Sequence, residues 1–169
     1  MSSGDHRKAA EAISVRCAVI TISDTRTTDN DLSGALMKAR LAENGYEITA
    51  YRIIPDEPDQ IEGVLGELAG KVEVILFNGG TGISARDTTF EALSRRLEKT
   101  LPGFGELFRM LSFEEIGPAA MLSRATAGVY RGTLVFSTPG STGAVRLAMD
   151  RLIVPDLKHL VWEVLRQRS

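Results

Sequence analysis

Val72-Glu73-Val74-Ile75-Leu76-Phe77 runs directly into Asn78-Gly79-Gly80-Thr81-Gly82, and this junction decides the fold. Apolar, largely β-branched residues that stop at a glycine cluster mark a strand buried on both faces, as in a parallel sheet covered by helices. Working outward, Cys17-Ala18-Val19-Ile20-Thr21-Ile22 has the same character and stops at Ser23-Asp24. Residues 133–137 repeat it and are halted by Thr138-Pro139-Gly140-Ser141. A further strand is expected over residues 46–54, before Pro55. Residues 32–44 read as a helix, with Asp31 or Ser33 able to cap its start and Gly45 closing it. Ile61, Val64, Leu65 and Leu68 fall at i, i+3, i+4 and i+7, an amphipathic helix ended by Gly70. Thr88-x-x-Glu91 reads as a capping box opening a helix through Leu97. A helical region with two glycine-rich breaks is expected up to Ser123, and helices over residues 142–152 and 155–166 close the chain. Strands alternating with helices predict an α/β fold with a parallel sheet covered on both faces.

The totals agree with one such domain. The chain has 169 residues, 43% apolar and 25% charged, which excludes wholesale disorder and a two-domain plan. Twenty Lys and Arg against twenty-two Asp and Glu leave a net charge of −2, without the basic excess of a general nucleic-acid or anionic-membrane binder. The single cysteine, Cys17, forms no internal disulfide, and a reducing, cytoplasmic setting is expected. Two histidines, His6 and His159, are far apart, which disfavours zinc hydrolase chemistry and a histidine triad. Residues 1–14 read as a mobile tail without a signal-peptide core, and residues 15–169 as the domain.

Open α/β sheets bind ligands beyond the carboxyl ends of their strands, so the segments after Ile22, Ile54, Phe77 and Ser137 are the candidate site. Gly79-Gly80-Thr81-Gly82 either converges backbone amides on an anion or simply reverses the chain. It is no P-loop, because the Gly-Lys-Ser/Thr ending is missing, and no acid-ended strand follows to support a Rossmann site. Arg86-Asp87 either serves a metal–phosphate site or caps the next helix. Asp56 has the same two readings, metal ligand or helix N-terminal acid. Two acids from separate strand ends beside one glycine loop favour the metal. Ser23-Asp24-Thr25-Arg26, Pro139-Gly140-Ser141 and Ser123-Arg124-Ala125 are each either ligand contacts or structural loops. Phe104, within Pro102-Gly103-Phe104-Gly105-Glu106, is either exposed or core.

Taken in order, these segments together with Asp31-x-Ser33-Gly34 and Ile54-Pro55-Asp56-Glu57 resemble the MoaB/MogA family of molybdenum-cofactor biosynthesis proteins, related to the G domains of gephyrin and Cnx1. The resemblance spans about residues 17–163 and is closer to the MoaB branch. It implies a single three-layer α/β/α domain with a mostly parallel sheet, assembled as a homotrimer or hexamer. It also implies an Mg²⁺-dependent adenylyltransferase that joins AMP from ATP to the terminal phosphate of molybdopterin, with release of pyrophosphate. The alternative is a molybdopterin carrier with little catalysis. By resemblance Asp56 and Asp87 are the catalytic, metal-positioning acids, and Gly79, Gly80, Thr81 and Gly82 hold the nucleotide. Ser23, Arg86 and Ser123 are further contacts, and Pro139, Gly140 and Ser141 lie near the pterin. Other proteins of the same pathway are expected partners. Asn78 departs from the Thr or Ser that many members carry before the glycines. Leu160, Val161 and Trp162 are the expected assembly surface.

Overall fold

The computed structural model describes residues 3–166; Met1, Ser2, residues 167–169 and the side chains of Ser3 and His6 lie outside the described residues. Helix α1 (Ser3–Glu11) leads into β1 (Arg16–Ile22), α2 (Leu32–Glu43), β2 (Glu47–Ile54), α3 (Pro58–Leu68) and β3 (Val74–Asn78). Next come α4 (Thr89–Ser94), β4 (Lys99–Thr100), α5 (Pro102–Ile116), a 3₁₀ turn (Gly117–Leu122), β5 (Thr126–Tyr130) and β6 (Thr133–Thr138). The chain ends with α6 (Thr142–Ala148), a π-helical turn (Met149–Ile153), a 3₁₀ turn (Val154–Asp156) and α7 (Leu157–Leu165).

The sheet order is β2-β1-β3-β6-β5-β4. The first four strands are parallel, while β5 runs antiparallel to β6 and β4. Alternation along each strand divides the core. Cys17, Val19, Val74, Leu76, Leu134 and Phe136 pack beneath α2, α5, α6 and α7. Ala18, Ile20, Ile75, Phe77 and Val135 face α3 and α4 on the other side. This is the expected three-layer α/β/α arrangement. Phe77, Phe108 and Phe136 are almost fully buried, and each such side chain contributes about 1.5–3 kcal/mol relative to exposure. Consecutive strands β1 and β2 are neighbours, but β3 returns to the opposite side of β1. The strand order therefore switches between the carboxyl ends of β1 and β3, where an open sheet forms a crevice.

Several elements differ from the sequence reading. Residues 1–14, expected as a mobile tail, carry α1, which lies against α7 and buries Ala10. The region expected to be helical up to Ser123 is interrupted by β4, and β5 follows it. β5 joins β6 through Arg131 and Gly132, both at positive φ, which is the hairpin geometry that matches strand twist. Gly128 sits in β5 because a Cβ there would strike the Lys99 carbonyl. Phe104 is core: its ring meets Phe136 edge-on at 5.1 Å and stacks with Phe108 at 6.3 Å. Val161 is buried and Leu160 packs on the core, so the expected assembly surface is largely used internally. Exposed apolar side chains gather instead on and after α5, at Leu107, Met110, Phe113, Ile116 and Met121. Among the described residues no helix is long and apolar enough to cross a membrane.

Candidate active site

The glycine loop leaves β3 at the strand-order switch. The Gly79 amide donates to the Thr138 carbonyl at 2.9 Å, tying the loop to the end of β6. Gly79 and Gly80 take φ of +103° and +67°, a region that side chains rarely adopt. Space forbids side chains as well. A Cβ on Gly79 would collide with the Ile22 carbonyl, and one on Gly80 would meet Thr89 Oγ1 and lie 2.6 Å from Asp56 Oδ2. A Cβ on Gly82 would lie 2.8 Å from Asp87 Oδ2. The glycines thus let backbone and both acids share one small volume. The amides of Gly80, Thr81, Gly82 and Ile83 have no hydrogen-bond acceptor among the described residues, and free amides in succession after a glycine turn are the donors from which an anion nest is built.

Asp56 and Asp87 are brought to this loop from separate strand ends. Asp56 follows β2 and is 7% exposed. Its amide donates to Asp24 Oδ1 at 3.0 Å, and its Oδ1 accepts from the Thr88 hydroxyl at 2.6 Å and the Thr88 amide at 3.2 Å. These bonds overturn the expected capping box: Thr88 spends its hydroxyl on Asp56, while Glu91 pairs with Arg124. Asp87 Oδ2 accepts from the Ser84 hydroxyl at 2.6 Å and the Ser84 amide at 2.9 Å. Among the described residues no three His, Cys, Asp or Glu side chains form a ready-made metal cage. Two oxygen-donor carboxylates do suit Mg²⁺, which commonly uses one or two of them together with substrate phosphates.

A cleft of about 290 Å³ opens between this loop, α5 and the start of α6. It brings together Gly80, Thr81, Gly82, Asp87, Ser123, Pro139, Gly140 and Ser141 from the sequence-predicted set. Gly79 and Asp56 do not line the cleft but adjoin residues that do: a Cβ on Gly140 would lie 3.2 Å from Gly79 Cα, and one on Gly80 2.6 Å from Asp56 Oδ2. Ser141 also caps α6, accepting from the Ala144 amide at 3.2 Å.

Ser23 and Arg86 do not line the cleft. Ser23 Oγ accepts from the Arg26 amide at 3.0 Å within its own loop and faces a different hollow, beside Tyr51 and Pro55. The Arg86 guanidinium is engaged by Asp24 at 2.7 Å and Glu57 at 2.8 Å. Its hydrogen bonds hold the Asp24 carboxyl below the usual range, and Glu57 and Asp24 in turn raise Arg86. Asn78 is also turned away. It is buried in the sheet, donating to Thr21 Oγ1 at 3.0 Å.

The expected cap of α2 falls to Asp31, and Ser33 of the same motif reaches the loop at Gly140, whereas Phe108, Ser112 and Ile116 were not singled out by sequence. Ser33 Oγ donates to the Gly140 carbonyl at 2.7 Å, while Asp31 caps α2 and accepts from Thr21 and Tyr51, each at 2.6 Å. Phe108, Ser112 and Ile116 line the cleft from α5. Their i, i+4, i+8 spacing, with one serine in an apolar stripe, is the signal that could have found them.

Residues 18–159 match the family model described as a probable molybdopterin binding domain. Molybdenum cofactor biosynthesis protein B of Halalkalibacterium halodurans is 54% identical over 99% of this chain and 100% of its own length. A crystal structure of a molybdenum cofactor biosynthesis protein B is 50% identical with a TM-score of 0.87, covering 91% of this chain and 98% of that one. The tungsten cofactor synthesizing protein MoaB from Pyrococcus furiosus is 36% identical with a TM-score of 0.81, covering 89% and 97%. On the family model and these relatives, the chain belongs to the MoaB/MogA family of molybdenum-cofactor biosynthesis proteins.

Proposed function

We propose that the protein acts in molybdenum-cofactor biosynthesis as a molybdopterin adenylyltransferase, in the cytoplasm. The observation that carries this reading is the nest of unpaired amides at residues 80–83, bracketed by Asp56 and Asp87 and opening on a cleft that extends to residues 139–141. The terminal phosphate oxygen of molybdopterin attacks the α-phosphorus of ATP. One P–O bond forms, the α–β bridge breaks, and pyrophosphate leaves with the electron pair. The nucleophile is already anionic, so no histidine base is required, and His159 lies on α7 away from the cleft.

The protein's task is positioning and charge. The amides of residues 80–83 hold phosphate oxygens, and Asp56 and Asp87 would hold Mg²⁺. When bound, that ion offsets repulsion between the two substrates, about 4 kcal/mol for unit charges 4 Å apart at an effective dielectric of 20. Ser141 and the backbone of residues 139–140 orient the pterin end.

The carrier reading, in which the same cleft binds molybdopterin with little turnover, draws on one observation. Among the described residues no Lys or Arg lines the cleft, and Arg86 is neutralised by Asp24 and Glu57. Pyrophosphate release from ATP and molybdopterin, with and without Mg²⁺, separates the two. Metal-dependent release supports the transferase, whereas pterin binding without release establishes the carrier. We also propose a closed homotrimer or hexamer, with the α5 face of Leu107, Met110 and Phe113 covered by a second copy.

A further inference from the structure

We infer that Arg124 is a positioning residue for both acids, acting through the peptide planes of the glycine loop; the reading rests on the transferase proposal only for its kinetic arm. Arg124 lies in the segment between the 3₁₀ turn and β5, and it reaches the loop by three separate contacts. Its backbone amide donates to the Thr81 carbonyl at 2.9 Å. Its Nε donates to the Gly82 carbonyl at 2.9 Å, and its Nη2 to the Asp87 carbonyl at 3.2 Å. Glu91 pairs with the same guanidinium, and the Phe90 ring lies 5.1 Å beneath it.

A trans peptide points its C=O and the following N–H to opposite sides. Holding the Thr81 and Gly82 carbonyls toward Arg124 therefore turns the Gly82 and Ile83 amides the other way, and these are two of the unpaired amides of the nest. Holding the Asp87 carbonyl likewise turns the Thr88 amide away from Arg124, and that amide donates to Asp56 Oδ1 at 3.2 Å. The planar guanidinium thus sets the Ile83 nest donor, the backbone of Asp87 and a hydrogen bond to Asp56, while the Arg124 backbone amide sets the Gly82 donor. Arg124 does so without lining the cleft.

Arg124 is itself held. Arg109 Nη1 donates to the carbonyls of Ser123 and Ala125, at 3.3 and 3.2 Å, on either side of it. Arg109 can lie there because Gly105 has no side chain: a Cβ would stand 2.8 Å from Arg109 Nη2. This gives the second glycine of Pro102-Gly103-Phe104-Gly105-Glu106 a purpose that the sequence left open.

Lysine keeps the charge but offers one ammonium in place of a planar fork, so it cannot span both side-chain-bonded carbonyls in the same geometry. The test uses the full-length protein with Arg124→Lys and Arg124→Gln. Hydrogen exchange is followed at the amides of residues 82–88, and pyrophosphate release is titrated with Mg²⁺. Both variants should speed exchange at the hydrogen-bonded amides of Ser84, Asp87 and Thr88 by at least tenfold while core strand β3 keeps its protection. Both should also raise the Mg²⁺ concentration for half-maximal release severalfold, with pterin affinity changed less than twofold. Unchanged loop exchange in a folded Arg124→Lys protein would overturn the inference. So would recovery of wild-type Mg²⁺ dependence by lysine. If wild type shows no release, the transferase proposal fails while exchange still decides the role of Arg124. Should Arg124→Gln not fold, Arg124→Lys alone carries both readouts.

Discussion

Gly80→Ala and Gly82→Ala remove the same feature, a missing Cβ, from two points of one loop, and the structure gives them different outcomes. Gly80 has φ +67° and would bring its Cβ against Thr89 Oγ1 and Asp56 Oδ2. Left-handed backbone costs an alanine about 1–2 kcal/mol. Pushing Asp56 aside weakens its two bonds from Thr88, at about 1 kcal/mol each when lost. The sum is about 2–4 kcal/mol, or about 5–15 °C in melting temperature for a domain of this size. Gly82 lacks the positive φ, and its Cβ meets only the end of the Asp87 side chain at 2.8 Å. That carboxylate can swing away at the cost of weakening its two exposed bonds from Ser84, so stability should fall by about 1 kcal/mol, less than at Gly80. The displaced carboxylate is nonetheless one of the two that would position the metal, and a misplacement of about 1 Å can cost about 100-fold in rate. Gly143→Ala is the control: it lies in α6 with nothing within 4 Å of its Cβ, and should gain about 0.5–1 kcal/mol. Differential scanning fluorimetry at matched protein concentration, paired with pyrophosphate release, reads both quantities. A Gly80→Ala protein that melts within about 2 °C of wild type and releases pyrophosphate normally would refute this account of the loop.

Asp56→Asn and Asp87→Asn should each slow Mg²⁺-dependent pyrophosphate release by about 10²–10⁴-fold, each tenfold being about 1.4 kcal/mol of transition-state stabilisation, while a fluorescence titration finds pterin binding intact. Loss of pterin binding in step with activity would show that the acids hold the pterin instead. Burial pushes the Cys17 thiol up to about 12 and also raises Tyr46 and Tyr51. These groups favour the protonated form when folded, so their stability is intact below about pH 9 and is lost as pH climbs toward 12. Melting temperatures measured across that range should fall, and Cys17→Ala should flatten the slope; an unchanged slope would exclude Cys17 as a source. Phe113 is 58% exposed on α5, and Phe113→Glu should shift sedimentation from trimer or hexamer toward monomer, whereas a monomeric wild type would remove the assembly proposal.

What could be read from the sequence, and what could not, follows from the range of the interactions. β1, β3 and β6 are buried on both faces, so each announces itself as an apolar run wherever it pairs. β5 does not: Thr126-Ala127-Gly128-Val129-Tyr130 contains a glycine required by a carbonyl from Lys99, a contact that exists only after the sheet has formed. Asp56 and Asp87 could be selected because strand ends in an open sheet meet at one edge, a consequence of topology that local residues reveal. The fate of a polar side chain at that edge is decided by competition instead. Arg86 is claimed by Asp24 and Glu57, Asn78 by Thr21, and the Thr88 hydroxyl by Asp56 in preference to its own helix. Each of those partners lies at least 29 residues away. The glycines escape this ambiguity, because an absent side chain has nothing to be claimed. Their meaning is that something else must occupy the space, and at Gly80 and Gly82 the occupants are the two carboxylates.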